Sequence, residues 1–501
     1  MSGERALRIA IVGGGLTGLS AAFYACRLAD EAGVKISVTV YEASQRLGGK
    51  INTLRRDGFV IERGPDSFLG RKLPMLHLAR ELDLLGELVG TNPEAVKTYI
   101  AHGGRLQPMP KGLNLGIPND LGAFAQNSFI SPRGKLRALD ELRIPAKETD
   151  DDESVGAFLE RRLGREMVEA IAEPLLAGIH AGDLYKLGLR ATFPQFAVME
   201  QKYGSIIRGM IDAKRKAPVA GAKAAAARSE AVGGASVPPT AFLTFRNGLS
   251  TLVEALEARL QAYACDIRLG VAVRSLEQIG AASENNGAQS NADHEQAPYR
   301  LQLDDGSVCD ADRVLIALPA FNAAPLLAPH VDVTALDRVG YVSVANVVLG
   351  FDEAGFRPKL DGSGFLVPHS EKRTITASTW TSAKWRHTAP KGKRLIRCYV
   401  GHADDETGVE LPDAELTAAV RHDLQELMGL TAEPLFVEIT RLRRSMPQYP
   451  VGHTVAIAGL RESMAHSLPG VYATGTPFDA VGLPDCVEMG KTAAQQLLGL
   501  T

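Results

Sequence analysis

The stretch Arg8–Glu42, RIAIVGGGLTGLSAAFYACRLADEAGVKISVTVYE, decides the fold. It reads as strand, glycine turn, helix and strand, and it ends in an acid. Gly13, Gly15 and Gly18 give G-x-G-x-x-G directly after the apolar run Ile9–Val12. In such a βαβ unit the first glycine makes the tight turn, and the second lets a pyrophosphate approach the backbone. The third lets helix and strand pack closely, while the helix N-terminus offers N–H groups and the positive end of its dipole. Glu42 closes the next apolar strand, Val38–Tyr41, where an acid accepts hydrogen bonds from adenosine ribose hydroxyls. The stretch predicts a parallel α/β sheet carrying a dinucleotide.

The next residues choose between dinucleotides. Glu42 to Lys50 spell E-x-x-x-R-x-G-G-K. Nicotinamide enzymes have no general need for a second glycine turn and a cation here, whereas in FAD proteins such a turn brings backbone and an arginine over the pyrophosphate. The expected cofactor is therefore FAD. Asp57–Phe68 then reads as a short strand running into a Gly64-Pro65 turn that can set backbone N–H groups beside a flat ring.

The whole chain narrows the possibilities. Its 501 residues suffice for two or three domains, and 45% hydrophobic with 23% charged residues is ordinary for a soluble globular protein. A formal net charge of -3 supplies no overall basic field, so nucleic acid is not an expected partner. The five cysteines are scattered and never form C-x-x-C, which argues for a reducing compartment and against a disulfide framework or metal site. Ile9–Cys26 carries no charge, but its glycines and the acid-tipped strand after it explain it better than a signal anchor. No other stretch reaches membrane-spanning length without charges. A cytoplasmic protein, at most peripheral to a membrane, is expected.

Further along, an amphipathic helix is expected over Pro74–Val89 and a hairpin from Tyr99 to Pro110. Helical periodicity dominates Gly122–Met210, with Ser131 placed to cap a helix that has Pro132 in its first turn. The run AKRKAPVAGAKAAAARSEAVGGASVPP, Ala213–Pro239, reads as a mobile linker or long surface loop. Gly280–Gln296 reads as a polar hairpin loop. The strand patterns around it complete the first sheet, so the nucleotide domain is expected to be discontinuous. Asn346–Gly401 suits a second, mostly antiparallel sheet, and Asp485 is placed to cap a final helix, Cys486–Leu500. The expected domains are FAD-binding parts at 1–72, 241–320 and 451–501 and substrate-domain parts at 73–110 and 321–450. A helical insert at 111–212 and a flexible linker at 213–240 separate them.

These stretches together resemble the amine-oxidase/protoporphyrinogen-oxidase superfamily of FAD proteins, and within it the bacterial porphyrinogen oxidases of the Gram-positive coproporphyrinogen III oxidase type. The resemblance rests on GGGLTGLSAAFY (Gly13–Tyr24), EASQRLGGK (Glu42–Lys50) and IERGPDSF (Ile61–Phe68). The porphyrinogen branch is marked by PMPKG (Pro108–Gly112), EPLLAGIHAGD (Glu173–Asp183), TFPQF (Thr192–Phe196), SMPQYPVGH (Ser445–His453) and VGLPDC (Val481–Cys486). It implies an α/β architecture: a discontinuous Rossmann-like FAD-binding domain, a mixed or antiparallel-sheet substrate domain and a helical insert matching the family's so-called membrane-binding domain. It implies FAD contacts from Gly13, Gly14, Gly15, Leu16, Thr17, Gly18, Glu42, Ala43, Arg46, Gly49, Gly64, Pro65, Asp66 and Ser67. Further contacts are implied from Val273 near the adenine, and from Gly475, Val481, Gly482 and Leu483 along the isoalloxazine. Two departures stand out: Leu442 occupies a place where many relatives carry an aromatic residue, and the linker is longer and richer in alanine.

The implied reaction passes hydride from a porphyrinogen to FAD, with O2 as the final acceptor and hydrogen peroxide as by-product. The cofactor carries that chemistry, which accounts for the absence of a catalytic triad, metal cluster or carboxylate pair, and no general base is named. Four propionates would need cations at the pocket rim, with Arg71, Lys72 and Lys111 as candidates. Phe193, Phe196 and Tyr449 are candidate apolar walls, while His180 and His453 are expected to be structural. Protoporphyrinogen IX is the rival substrate, and the iron-inserting enzyme of the next step a further partner. A flavin amine oxidase or carotenoid desaturase and a non-enzymatic GDP-dissociation-inhibitor-like protein are more distant alternatives.

Overall fold

β1 (Leu7–Val12) has Ile9, Ala10, Ile11 and Val12 consecutively buried, so both its faces need cover. A computed structural model, describing residues 5–216, 222–279 and 298–500, supplies that cover. β1 lies at the centre of a five-stranded, all-parallel sheet, beside β2 (Ile36–Glu42) on one side and Arg313–Ile316 on the other. Asp266–Leu269 and Val471–Ala473 form its edges. One sheet is thus assembled from segments hundreds of residues apart.

Its two faces have separate cores. Ile9 and Ile11 point to the side covered by α1 (Leu16–Ala32) and the helices Ser250–Ala262 and Leu483–Leu498. Ala10 and Val12 point to the other, where an antiparallel meander (Val273–Gln278, Tyr299–Leu303, Val308–Ala311) and the helices Ala320–Leu327 and His453–Ser467 pack. α1 stops at Gly33, whose left-handed φ of 69° lets its N–H reach back to Ala29 and Asp30.

The second sheet has seven strands, in the order Phe436–Gln448, Gly340–Asp352, Lys393–Val400, Ile375–Thr379, Gly362–Leu366, Lys97–His102, Arg105–Pro108. All its pairings are antiparallel except that between Gly362–Leu366 and Lys97–His102. Alternation divides its faces: Ala345, Val347, Leu349, Ile396 and Cys398 pack against the helix Asp413–Met428, and Val344, Asn346, Arg397 and Tyr399 face the other way. The expected hairpin after Tyr99 forms the sheet's far edge.

The helical insert has its own core of Phe124, Phe158, Leu159, Ile171, Phe196 and Ile207. Ser131 accepts from the Gly134 N–H at 3.0 Å, as its position predicted, and Ser154 caps Val155–Leu163 the same way. Arg162 and Glu141, both fully buried, pair at the insert's centre, and Glu141 also accepts from Ser205 and the Ile206 N–H. A buried charge pair is tolerated because its remaining hydrogen-bonding positions are filled.

Three expectations need correction. The 213–240 stretch is not a continuous flexible linker: a helix reaches Lys216, a second covers Ala222–Ala231, and residues 217–221 lie outside the described residues. Alanine has the highest helix propensity, and the second helix is anchored by Arg228, which donates to the Thr240 and Pro238 carbonyls, while Val232 and Val237 enter the core. The helix expected over Pro74–Val89 covers only Leu73–Glu81, and the chain turns at Asp83, with φ 59°. Its apolar face (Met75, Leu76, Leu78, Ala79) packs in the α1 core, so the segment after residue 73 begins with the nucleotide sheet and reaches the seven-stranded sheet only at Lys97. The loop read over Gly280–Gln296 lies outside the described residues.

Candidate functional site

The glycine turn lies where β1 ends. Gly13 has φ 116°, and a Cβ there would stand 2.5 Å from the Ala317 carbonyl oxygen; at Gly18 it would stand 2.0 Å from that of Gly13. Both positions exclude a side chain. Nothing lies within 4 Å of a Cβ at Gly15, so a ligand can approach the backbone there. α1 starts after Gly15 with no side-chain cap, leaving its first-turn amides for a ligand. The second glycine turn lies against the first through a Gly48 N–H bond to the Gly14 carbonyl, 2.8 Å.

Glu42 is fixed by backbone: one carboxylate oxygen accepts from Gly14 N–H and the other from Ser44 N–H, each at 2.8 Å. Each oxygen keeps a further acceptor position, so the acid remains able to take ribose hydroxyls. At the opposite end the helix Leu483–Leu498 also starts uncapped, after Gly482. The expected capping role of Asp485 is not seen, because Asp485 lies inside the first turn and Gly482 holds the cap position. Its carboxylate pairs with Lys72 at 2.6 Å. An open glycine trough, two uncapped helix starts and a fixed acid suit FAD.

The seven-stranded sheet holds the third side. Asn346 donates to the Arg63 carbonyl at 2.8 Å and Arg397 to that of Gly64, so two inward side chains position the Gly64-Pro65 turn. Arg397 is 5% exposed, lies over the Tyr399 ring at 4.7 Å, and keeps its Nε and one terminal nitrogen unpaired. Burial alone would push Asp66 up, but Lys384 and Arg397 beside it hold it down at about 2. Lys50 is lowered by burial and donates to the Ser445 carbonyl, and burial raises the Cys486 thiol to about 11.

These parts enclose one cleft of about 1830 Å³. Single small-molecule sites occupy roughly 300–1,000 Å³, so there is room for a dinucleotide and a second large molecule. Beyond the glycine trough the cleft widens between the seven-stranded sheet (Phe365, Leu366, Ile375, Leu442, Met446) and a π-helix of the insert, Val168–Ala177. Glu169, Glu173, Pro174 and Leu175 of that helix face the cleft. Its wide turns accommodate Pro174 and are a recurrent feature of functional sites.

Of the expected cofactor residues, Gly13, Gly15, Leu16, Thr17, Glu42, Ala43, Gly49, Gly64, Pro65, Ser67, Val273, Gly475, Val481, Gly482 and Leu483 line the cleft. Gly14, Gly18 and Asp66 stand just behind its surface. Arg46 does not reach into the cleft: its guanidinium donates to the Leu47, Gly49 and Ile51 carbonyls, bracing the second turn from outside.

None of the six candidate substrate residues lines the cleft. Arg71 and Lys111 are exposed, and Lys72 is engaged with Asp485. Phe193 and Phe196 stack at 5.5 Å in the insert core. Tyr449 is buried, donates to the Thr476 carbonyl and stacks on His453 at 4.7 Å. Burial lowers His180 to about 4 and also lowers His453, so both are neutral packing groups.

The cations that do face the wide chamber were not singled out by sequence. Lys372 and Arg373 lie with His369 on the loop joining strands Gly362–Leu366 and Ile375–Thr379. Arg373 is held 3.6 Å from Asp423, and Lys372 makes no ion pair among the described residues. In sequence, Glu371-Lys372-Arg373 is an ordinary charged turn; only the sheet order carries it to the cleft.

Residues 16–498 match the family model described as flavin containing amine oxidoreductase. Coproporphyrinogen III oxidase of Bacillus subtilis is 41% identical over 98% of this chain and 97% of its own, and that of Staphylococcus aureus 38% over 98% of each. Among solved structures, one from Exiguobacterium sp. 255-15 assigned to the protoporphyrinogen oxidases is 34% identical, with a TM-score of 0.82 over 100% of both chains.

Proposed function

The chain belongs to the flavin-containing amine oxidoreductases, in their porphyrinogen-oxidase branch, and from this we propose that it oxidises coproporphyrinogen III to coproporphyrin III. The cofactor is FAD, which when bound supplies the hydride acceptor and the reaction with O2 that yields hydrogen peroxide. The observation that carries the reading is a glycine trough opening directly into a wide, largely apolar chamber with cations on its wall.

The chain's own work is binding, orientation and exclusion of water. The amides at the starts of α1 and of Leu483–Leu498 meet negative charge, and Glu42 meets the ribose. Leu366, Leu442 and Met446 give the macrocycle an apolar wall, and Leu442 serves there without an aromatic ring. Lys372 and Arg373 take propionates, and the buried, partly unpaired Arg397 lies deeper in the same cleft. Among the described residues no helix is long and apolar enough to cross a membrane.

The test is to give the purified, FAD-loaded protein coproporphyrinogen III in air and follow porphyrin fluorescence. Porphyrin formation well above autoxidation is expected, and a rate equal to that of heat-inactivated protein overturns the reading. The likeness to the Exiguobacterium structure favours protoporphyrinogen IX as a second reading. Competition between the two substrates decides it, with coproporphyrinogen expected to give the higher kcat/KM.

A further inference from the structure

We propose that Cys26 and Cys265 form a peroxide-responsive disulfide that clips α1 to the edge of the nucleotide sheet. Their sulfurs lie 3.2 Å apart although the residues are 239 positions apart in the chain. No hydrogen bond joins any other two cysteines among the described residues. Cys26 is in the third turn of α1, and Cys265 directly precedes Asp266–Leu269, the edge strand that pairs with β2. Both elements are held by the same core, so the two sulfurs are kept in place by packing.

The pair is asymmetric in the way such chemistry requires. Cys26 is 5% exposed, whereas Cys265 is partly open to solvent. A surface depression lined by Phe23, Arg27, Asp30 and Tyr263 lies alongside. The two thiols share a hydrogen bond that either can donate, and burial raises the Cys26 thiol. Cys265, the more open of the two, is the attacking group and Cys26 the resolving one.

The oxidant is hydrogen peroxide. The Cys265 thiolate attacks one peroxide oxygen, the O–O bond breaks, and the other oxygen leaves as hydroxide, which takes up the proton that Cys265 lost on ionising and becomes water. Cys265 is then a sulfenic acid. The Cys26 sulfur displaces the hydroxyl from it, its own proton going to that hydroxyl, so that an S–S bond and a second water form. Two thiols lose two electrons and one peroxide gains them.

The experiment treats the purified holoprotein with a limited dose of hydrogen peroxide, blocks free thiols, and maps peptides without reductant. The expected result is a peptide joining Cys26 to Cys265, released by dithiothreitol, with two of the five thiols lost to titration. Cys26→Ser should abolish the cross-link and send Cys265 on to sulfinic acid; Cys265→Ser should leave Cys26 reduced at the same dose. Retained FAD binding shows that each variant is folded. Wild-type protein that keeps all five thiols, carries Cys265 as sulfinic acid, or cross-links another pair overturns the proposal.

Discussion

The two walls of the cleft are built by different means. The nucleotide wall is mostly backbone: Gly13, Gly15 to Thr17, Gly48, Gly49 and Gly64 shape it, and Glu42 is itself fixed by two amides. The chamber wall is side chain: Arg397 and Tyr399 come from one strand of the seven-stranded sheet, Leu442 from another and Arg373 from a loop. A backbone wall tolerates little added volume but is indifferent to much side-chain chemistry. A side-chain wall can be retuned residue by residue while the cofactor remains bound. The two should therefore fail separately when mutated.

The largest effect is expected at Gly13→Ala. The added Cβ collides with the Ala317 carbonyl at a φ of 116°, and strain of this kind costs about 3 kcal/mol. The Kd for FAD should rise about 100-fold, measured by flavin fluorescence titration. Unchanged affinity would remove the glycine trough from the cofactor site. Arg373→Ala comes next. Losing a charge-assisted bond to a propionate should raise KM for coproporphyrinogen about tenfold, with FAD affinity and kcat held. A matching loss of FAD would show that the walls are not separable.

A pH effect sharpens the comparison at the join between the walls. Glu62 is raised to about 7 by burial, against the bonds from Leu249 N–H and Thr53 that favour its charged form. Because the folded-state value lies above the unfolded one, this group's contribution to stability is full below about pH 4 and is lost as pH rises through 7. Glu62→Gln should remove that loss, gaining at most about 3 kcal/mol at pH 8 relative to wild type in denaturant titrations run at pH 5 and 8. Equal stability changes at both pH values would contradict the assignment. The smallest effect is expected at Ser131→Ala, remote from both walls. It should cost about 1 kcal/mol through the lost cap and leave FAD affinity and KM unchanged.

The same contrast explains what sequence could tell. The trough is local: β1, its turn and α1 follow one another within about a turn's reach, so residue types and spacing imply their geometry. Glu42 falls at the trough because β2 pairs in register with β1, another short-range consequence. Arg373 reaches the chamber only because Gly362–Leu366 pairs in parallel with Lys97–His102, more than 250 residues away, and no short-range pattern encodes that. Lys72 looked suitable from its place after the Gly-Pro turn, but its partner Asp485 lies 413 positions later. At Arg46 the motif is legible but not how the side chain is held: its guanidinium donates to three carbonyls of its own turn. Alanine richness over Ala222–Ala231 fits both low complexity and high helix propensity, and the structure takes the second.

The central claim is that a flavin in the trough and a porphyrinogen in the chamber react within one cleft, with O2 as acceptor. It is tested most directly by measuring oxygen uptake and porphyrin formation together on the FAD-loaded protein. Three O2 consumed and three hydrogen peroxide formed per coproporphyrin, as a six-electron oxidation through a two-electron cofactor requires, is the predicted result. Porphyrin appearing no faster than in the flavin-free protein, or without matching oxygen uptake, would contradict it.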